Sequence, residues 1–124
     1  MALAKRLMGV GFSAGQASKI GGSYTTFAAA GSAQTDATTV GDSLSIITAA
    51  DGTKGVILSG QVGDSVVLFN NSGSTLKVYP DSGAAIAVPG TGLGTANASY
   101  AHTTYATVFY VKVTSTQWLP IKSA

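Results

Sequence analysis

At 124 residues, with charged side chains at 10%, a formal net charge of +2 and no cysteine, the chain reads as one domain without disulfides or thiolate metal sites. The charged fraction lies well below the roughly 25% usual for soluble globular chains, and charge-poor surface is the kind that association between proteins covers. Oligomerisation or docking onto a larger assembly is the expectation, set against a monomer whose surface is polar through Ser, Thr and Asn.

Residues 1–22 read as an arm. ALAKRLM (2–8) predicts two turns of helix, with Leu3 and Leu7 on one face and Val10 beside them. Gly9 and Gly11 weaken that helix. They also interrupt LMGVGF, which falls short of a signal peptide's apolar run of about 7–15 residues, so the segment is read as structural. Ser13 then caps a second short helix, with Gln16 completing an S-x-x-Q box and Phe12 placed to pack on Ala17. Ile20 ends the run, and Gly21 and Gly22 stop it. Two such helices bury too little to stand alone. They are also too short, and with Lys5, Arg6 and Lys19 too poor in cations, for a DNA-binding helix-turn-helix.

From residue 23 to 124 the period changes and the segment reads as a β-rich body. YTTFAAA (24–30) is β-prone, and GSAQTDATTVGD (31–42) reads as a polar connection. SLSIIT (43–48) alternates apolar and polar residues, and Asp51-Gly52 follows as a hairpin-type turn signal. GVILS (55–59) predicts a buried strand, GQVG (60–63) a turn, and DSVVLFN (64–70) the clearest strand of the chain. After the turn NSG (71–73), STLKVY (74–79) is expected to pair back, ending at Pro80. AAIAV (84–88) is short, PGTGLGTAN (89–97) is a glycine-rich loop, and YATVFYVKV (105–113) and TQWLP (116–120) complete the set. Short strands punctuated by turns predict an all-β fold, a compact antiparallel β-sandwich or barrel, with the helical arm in front.

Strand faces carry a second message. In VVLF, Val66 and Leu68 face one way and Val67 and Phe69 the other; in YATVFYVKV, Phe109 and Val111 oppose Val108 and Tyr110. Both faces are apolar, so the second face is expected to meet another sheet, another subunit or the arm. GDS followed by alternating apolar residues occurs at 41–47 and again at 63–69, and is read as repeated turn logic without a repeat behind it.

Chemistry is sparse. His102 is the one histidine, no G-x-S-x-G elbow accompanies it, and the aspartates (36, 42, 51, 64 and 81) fall mostly at turns, where they cap backbone. His102 is expected at the surface or at a subunit contact, and no metal-ligating cluster is spaced for Zn or Ca. Gly90, Gly92 and Gly94 lack the lysine and the following helix of a phosphate loop. Asn70-Asn71-Ser72 and Asn97-Ala98-Ser99 fit a glycosylation pattern but are better explained as turns. Tyr100, Tyr105, Tyr110 and Trp118 suit a core or an interface more than carbohydrate stacking. From Asp36 onward four lysines meet five aspartates, so nucleic acid is not an expected partner. Nor is a membrane, since no apolar run approaches about 18–20 residues. No enzyme activity and no cofactor are expected.

Three stretches carry a resemblance. AKRLMGVGFSAGQASKIGG resembles the R-L-x-x-L-G…A-x-x-I opening of small virion proteins of tailed bacteriophages. GVILSGQVGDSVVLFNNSGSTLKVYPDSGAAI resembles their central G-V-x-L, G-D-x-V-x-V-x-N and L-x-V-Y-P-x-x-G run, and STQW their terminal S-x-x-Q-W strand. Ser59 stands where such proteins often carry proline. The resemblance implies a capsid decoration (cement) or head-fibre protein, a homotrimer on the outer surface of the head with the major capsid protein as partner. It implies Leu3, Lys5, Arg6, Leu7, Met8 and Phe12 as anchoring residues. Val67, Phe69, Tyr79, Tyr110 and Trp118 become body or trimer-packing residues. The alternative is a fibre, tail or host-attachment module that binds surface glycans through exposed aromatics and the 89–97 loop.

Overall fold

β-Branched and aromatic residues repeating at period two favour extended chain, because each strand can then turn one row of side chains into a core. The computed structural model describes residues 25–40 and 44–122, and the helices expected in the arm lie outside these described residues. Ten strands are formed among the described residues. In chain order they are β1 (Thr25–Ala28), β2 (Thr38–Val40), β3 (Leu44–Ala49), β4 (Gly55–Leu58), β5 (Ser65–Asn70), β6 (Leu76–Tyr79), β7 (Ala85–Ile86), β8 (Tyr100–His102), β9 (Thr107–Thr114) and β10 (Gln117–Lys122). One 3₁₀ turn, Gln34–Asp36, lies between β1 and β2.

The strands form a six-stranded sheet, ordered β1-β3-β5-β9-β10-β7, and a four-stranded sheet, ordered β2-β4-β6-β8. From β1 to β9 the chain changes sheet at every step. Each sheet is therefore revisited only after a full winding, and its successive strands come back parallel: β1 with β3, β3 with β5, β2 with β4 and β4 with β6. β9 breaks the winding by pairing antiparallel with both β5 and β10, and β8 pairs antiparallel with β6. A short parallel contact of β7 with β10 completes the large sheet.

The fold is all-β, as expected, but its sheets are mixed and not antiparallel. Two expected hairpins are corners instead. At Asp51-Gly52, one carboxylate oxygen of Asp51 accepts hydrogen bonds from the amides of Thr53 (3.0 Å) and Lys54 (3.2 Å) and from the Thr53 hydroxyl (2.6 Å). Gly52 takes a φ of +88° there, a conformation open to glycine. The chain thereby leaves β3 in one sheet for β4 in the other. At residues 71–73, β5 and β6 likewise part into different sheets and do not pair. The supposed polar connection 31–42 contains β2, which escaped notice because Val40 is its single core residue. β8 likewise carries one buried residue, the polar His102, and so shows no apolar period in the sequence.

The two GDS echoes precede neighbouring parallel strands, β3 and β5, but the strands are not aligned as the echo suggests. The echo sets Ser45 level with Val67; the ladder sets Ser45 opposite Leu68, both buried. A slip of one residue exchanges the faces of a strand, so burial decided the register and the echo did not.

One core cluster joins the two sheets. Ile47, Leu68, Val108, Tyr110 and Trp118 enter it from the large sheet, and Val40, Val56, Leu58, Leu76 and Val78 from the small one. One end of the outer side of the small sheet, at Tyr79, is covered by the chain itself. Tyr79 is 8% exposed, its hydroxyl lies 3.5 Å from the Ser32 carbonyl, and Gln34 donates to the Pro80 carbonyl at 2.7 Å. Gly55 lies close under that ring: a Cβ there would come within 2.8 Å of both the Lys77 carbonyl oxygen and Tyr79. Gly55→Ala is therefore expected to lower unfolding free energy by about 1–3 kcal/mol, the usual cost of overpacking. Urea denaturation followed by Trp118 fluorescence measures it, and an unchanged midpoint would show that the ring is not held where described.

Candidate functional site

The anchoring residues Leu3, Lys5, Arg6, Leu7, Met8 and Phe12 lie outside the described residues. The body residues separate into two groups. Tyr79, Tyr110 and Trp118 are buried, while Val67 and Phe69 are half-buried on the opposite side of β5 from Val66 and Leu68. His102, expected at a surface, is fully buried. The hydrogen-bonded polar side chains inside the molecule fall mainly into three small networks, apart from the buried hydroxyls of Ser45 and Thr104, which have no hydrogen-bond partner among the described residues.

The first is a clasp around Asp81, which follows β6. One carboxylate oxygen accepts from Lys112 Nζ at 2.8 Å and the other from Trp118 Nε1 at 2.7 Å. Lys112 also donates to the Gly60 carbonyl at 3.1 Å and lies 5.6 Å from the centre of the Trp118 ring. The clasp ties β9, β10 and the connections before β5 and after β6 at one point. Partial burial pushes the Asp81 carboxyl up, but the hydrogen bonds from Lys112 and Trp118 outweigh it and hold the acid below its ordinary value. An acid held ionised by an ammonium and an indole has no proton to give, so this is a fastening and not a general acid.

The second network explains the buried histidine. His102 Nε2 lies 2.7 Å from the Ala106 carbonyl oxygen, which can only accept, so Nε2 carries the proton. Nδ1 is then free to accept from the Tyr110 hydroxyl at 2.9 Å. Burial lowers the basicity of His102, the Ala106 bond opposes this weakly, and Lys122 adds to the lowering. Tyr110 is driven well above the ordinary phenol value by burial and then by Tyr100, whose ring meets it edge-on at 6.0 Å. Neither group is placed to exchange protons with solvent. Among the described residues the partners of His102 are Tyr110 and the Ala106 carbonyl, and neither a serine nor an aspartate is bonded to it, so these residues form no triad around it.

The third is a knot at the end of β5. Asn70, fully buried, donates to the carbonyls of Ser74 (2.7 Å) and His102 (3.2 Å) and accepts from the Ser72 amide and hydroxyl. Asn97 similarly accepts from the Gly83 amide at 2.7 Å, with a φ of +64°. The two apparent glycosylation patterns are thus turn fasteners.

Every aspartate among the described residues has a fastening role. Asp36 accepts from the amides of Ser32 and Ala33, Asp64 from that of Gln61, and Asp51 and Asp81 act as above. No group of three or more metal-ligating side chains occurs among the described residues. An open cleft of about 420 Å³ lies beside the glycine-rich loop, lined by Val88, Pro89, Ser99, Tyr100, Ala101 and Lys122. Its polar side chains are the Lys122 amine, the half-buried Tyr100 phenol and the Ser99 hydroxyl, with no acid or imidazole beside them.

The feature of greatest extent is the outer face of the six-stranded sheet. Ladder pairing sets Leu44, Val67, Phe109 and Ile121 in one row across β3, β5, β9 and β10. Ile46 and Phe69 form a second row, flanked by Thr26 and Thr107. Val111 and Leu119, with Ser65, form a third. Ile121 is 59% exposed, and Phe109, Val113 and Leu119 between 37% and 40%. Sequence alternation groups Val67 with Phe69 and Phe109 with Val111; Leu44, Ile46, Leu119 and Ile121 join them only through the strand pairing. No protein family, curated protein or solved structure matches the chain.

Two outcomes test the networks. Asp81→Asn strands the Lys112 ammonium, whose side chain is 7% exposed, and is expected to cost about 1–3 kcal/mol. That is less than the ~3–5 for a fully buried pair, since Asp81 is 34% exposed. Adding Lys112→Met should recover part of the loss, as read by urea denaturation. For His102 the folded form is the less basic one, so its contribution is complete above the unfolded value of about 6.5 and declines as pH falls below it. Unfolding free energy should therefore drop between about pH 7 and pH 5, and His102→Gln should flatten that slope; equal slopes in the two proteins would contradict it.

Proposed function

We propose that the chain is a non-enzymatic structural protein of a tailed-bacteriophage virion, a capsid decoration (cement) protein that assembles as a homotrimer on the outer surface of the head. The observation that carries this reading is where the motif residues lie. Asp64 and Asn70 of G-D-x-V-x-V-x-N, the stretch L-x-V-Y-P with Asp81, and Trp118 of S-x-x-Q-W form corners, core and clasp. The polar groups of the resemblance thus support a shape, and its apolar surplus is turned outward on one sheet. Two layers with a shared core make the body a rigid spacer, which suits a sandwich that contacts neighbours.

Such a protein acts by mass action. A ligand that binds the assembled shell and not its free subunits stabilises the shell by the free energy of that binding. Three arms on one trimer add avidity, because the second and third bind at high effective concentration once the first is seated. Leu3, Lys5, Arg6, Leu7, Met8 and Phe12 are the anchoring residues in this reading, and the major capsid protein is their partner.

The host-attachment alternative has less support. Of the aromatics it relies on, Tyr110 and Trp118 are fully buried; Tyr105, 64% exposed, and half-buried Tyr100 remain. A glycan array separates the two, since saturable glycan binding without affinity for heads favours the alternative.

The head reading is tested by cosedimentation with mature heads. Lys5→Glu/Arg6→Glu in the full chain, and separately removal of residues 1–22, should abolish head binding while leaving far-UV circular dichroism β-rich. Undiminished occupancy by both variants would contradict the anchoring role.

A further inference from the structure

We propose that the cleft beside the glycine-rich loop takes an extended, acidic segment of a partner protein, which adds to the free edge of β8 through its main chain and meets Lys122 with a carboxylate. The inference concerns the β-rich body alone and does not depend on the virion reading.

The cleft lies where both sheets end. β8 is the last strand of the small sheet, and β7, last in the large one, accompanies β10 only at Gln117 and Trp118. Hydrogen bonding alternates along a strand, so the groups left over can be named. Lys77 turns toward β4, where its amide donates to the Lys54 carbonyl at 3.2 Å. Its neighbours Leu76 and Val78 therefore bond β8 through His102 and Tyr100, and Ala101 between these turns its N–H and C=O away from the sheet. On β10 the Trp118 carbonyl accepts from the Ala87 amide at 3.0 Å, so the Pro120 carbonyl, two residues on, faces the same edge. Pro120 has no N–H, which blunts that edge as a pairing site. Ala101 carries no such block. It lines the cleft with Val88, Pro89, Ser99, Tyr100 and Lys122, and no described strand pairs with its outer side.

An outward N–H and C=O on one residue are matched together by one residue of another extended chain, which is how a peptide adds a strand to an open edge. Val88, Pro89 and the Tyr100 ring supply apolar surface for the side chains beside it. Charge then selects the partner. Among the described residues the Lys122 ammonium meets only the Thr103 hydroxyl, at 3.4 Å, and no acid lines the cleft. The chain has little to answer it with. Residues 1–24 contain no Asp or Glu, and Asp36, Asp51, Asp64 and Asp81 are already fastened, which leaves a sister copy only Asp42. One cation is too few to hold a nucleic acid. An acidic segment of a different protein satisfies both the edge and the amine.

The test pans yeast-displayed random octapeptides against the full chain and titrates the selected peptides by fluorescence anisotropy. Sequences with Asp or Glu among apolar residues should be enriched. Ala101→Pro removes the outward N–H without breaking a ladder bond and should abolish binding. Lys122→Glu should weaken it about tenfold, one exposed attraction becoming a repulsion, while Lys54→Gln, exposed before β4, leaves it unchanged. Near-UV circular dichroism of buried Trp118 reports whether each variant is folded. Should Ala101→Pro lose that signal, the peptide is N-methylated at each residue in turn, and one such methyl should abolish binding. No enrichment, or binding indifferent both to Ala101→Pro and to N-methylation, overturns the proposal. Enriched sequences without acids, bound equally by Lys122→Glu, overturn the acidic partner. Binding of sialyllactose that Lys122→Glu loses and Ala101→Pro keeps assigns the cleft to an acidic glycan and overturns the peptide. Peptides that bind only after removal of residues 1–22 assign it to the chain's own segment, which overturns the partner as well.

Discussion

Whenever the chain leaves one sheet for the other, several backbone amides lose their ladder partners at once, and unpaired amides away from water are costly. Single side-chain oxygens take up some of these amides: two each at Asp36 before β2 and Asp51 before β4, and one each at Asp64 before β5 and Asn70 before β6. Repeated sheet changing is what makes β1, β3 and β5 return parallel, so the winding depends on these corners. The aspartates that might have suggested acid chemistry are therefore committed to geometry.

The later strands solve a different problem. A wound stack of parallel strands must be ended, and β9 ends it by lying antiparallel to β5 while β10 folds back on β9. Asp81, Lys112 and Trp118 lock that reversal to the winding, through a contact between residues 31 positions apart along the chain for the ion pair and 37 for the indole. His102 and Tyr110 do the same between β8 and β9 with a neutral pair, which avoids burying a charge. Each device joins segments that the alternating path would otherwise leave independent.

Inside and outside are thus divided by chemistry. Polar side chains are largely turned to fastening, the shared core is filled from both sheets, and further apolar residues face outward on the large sheet or, like Val62, Leu93 and Tyr105, lie exposed in loops.

The sequence by itself determined that the chain is β-rich, where it bends, and which residues of β5 and β9 share a side. Val66 and Leu68 against Val67 and Phe69, and Val108 and Tyr110 against Phe109 and Val111, follow from the two-residue period of extended chain alone. Only the tertiary structure decided which strands pair. Asp51-Gly52 and Asn71-Ser72-Gly73 mark bends equally well for a hairpin or for a corner between sheets, because local turn chemistry sets direction over a few residues and leaves the next strand's plane open. Likewise, His102 could be assigned to the interior only once Ala106 and Tyr110 were in place to bond both its nitrogens, since burying an imidazole is favourable only with partners that no local pattern specifies.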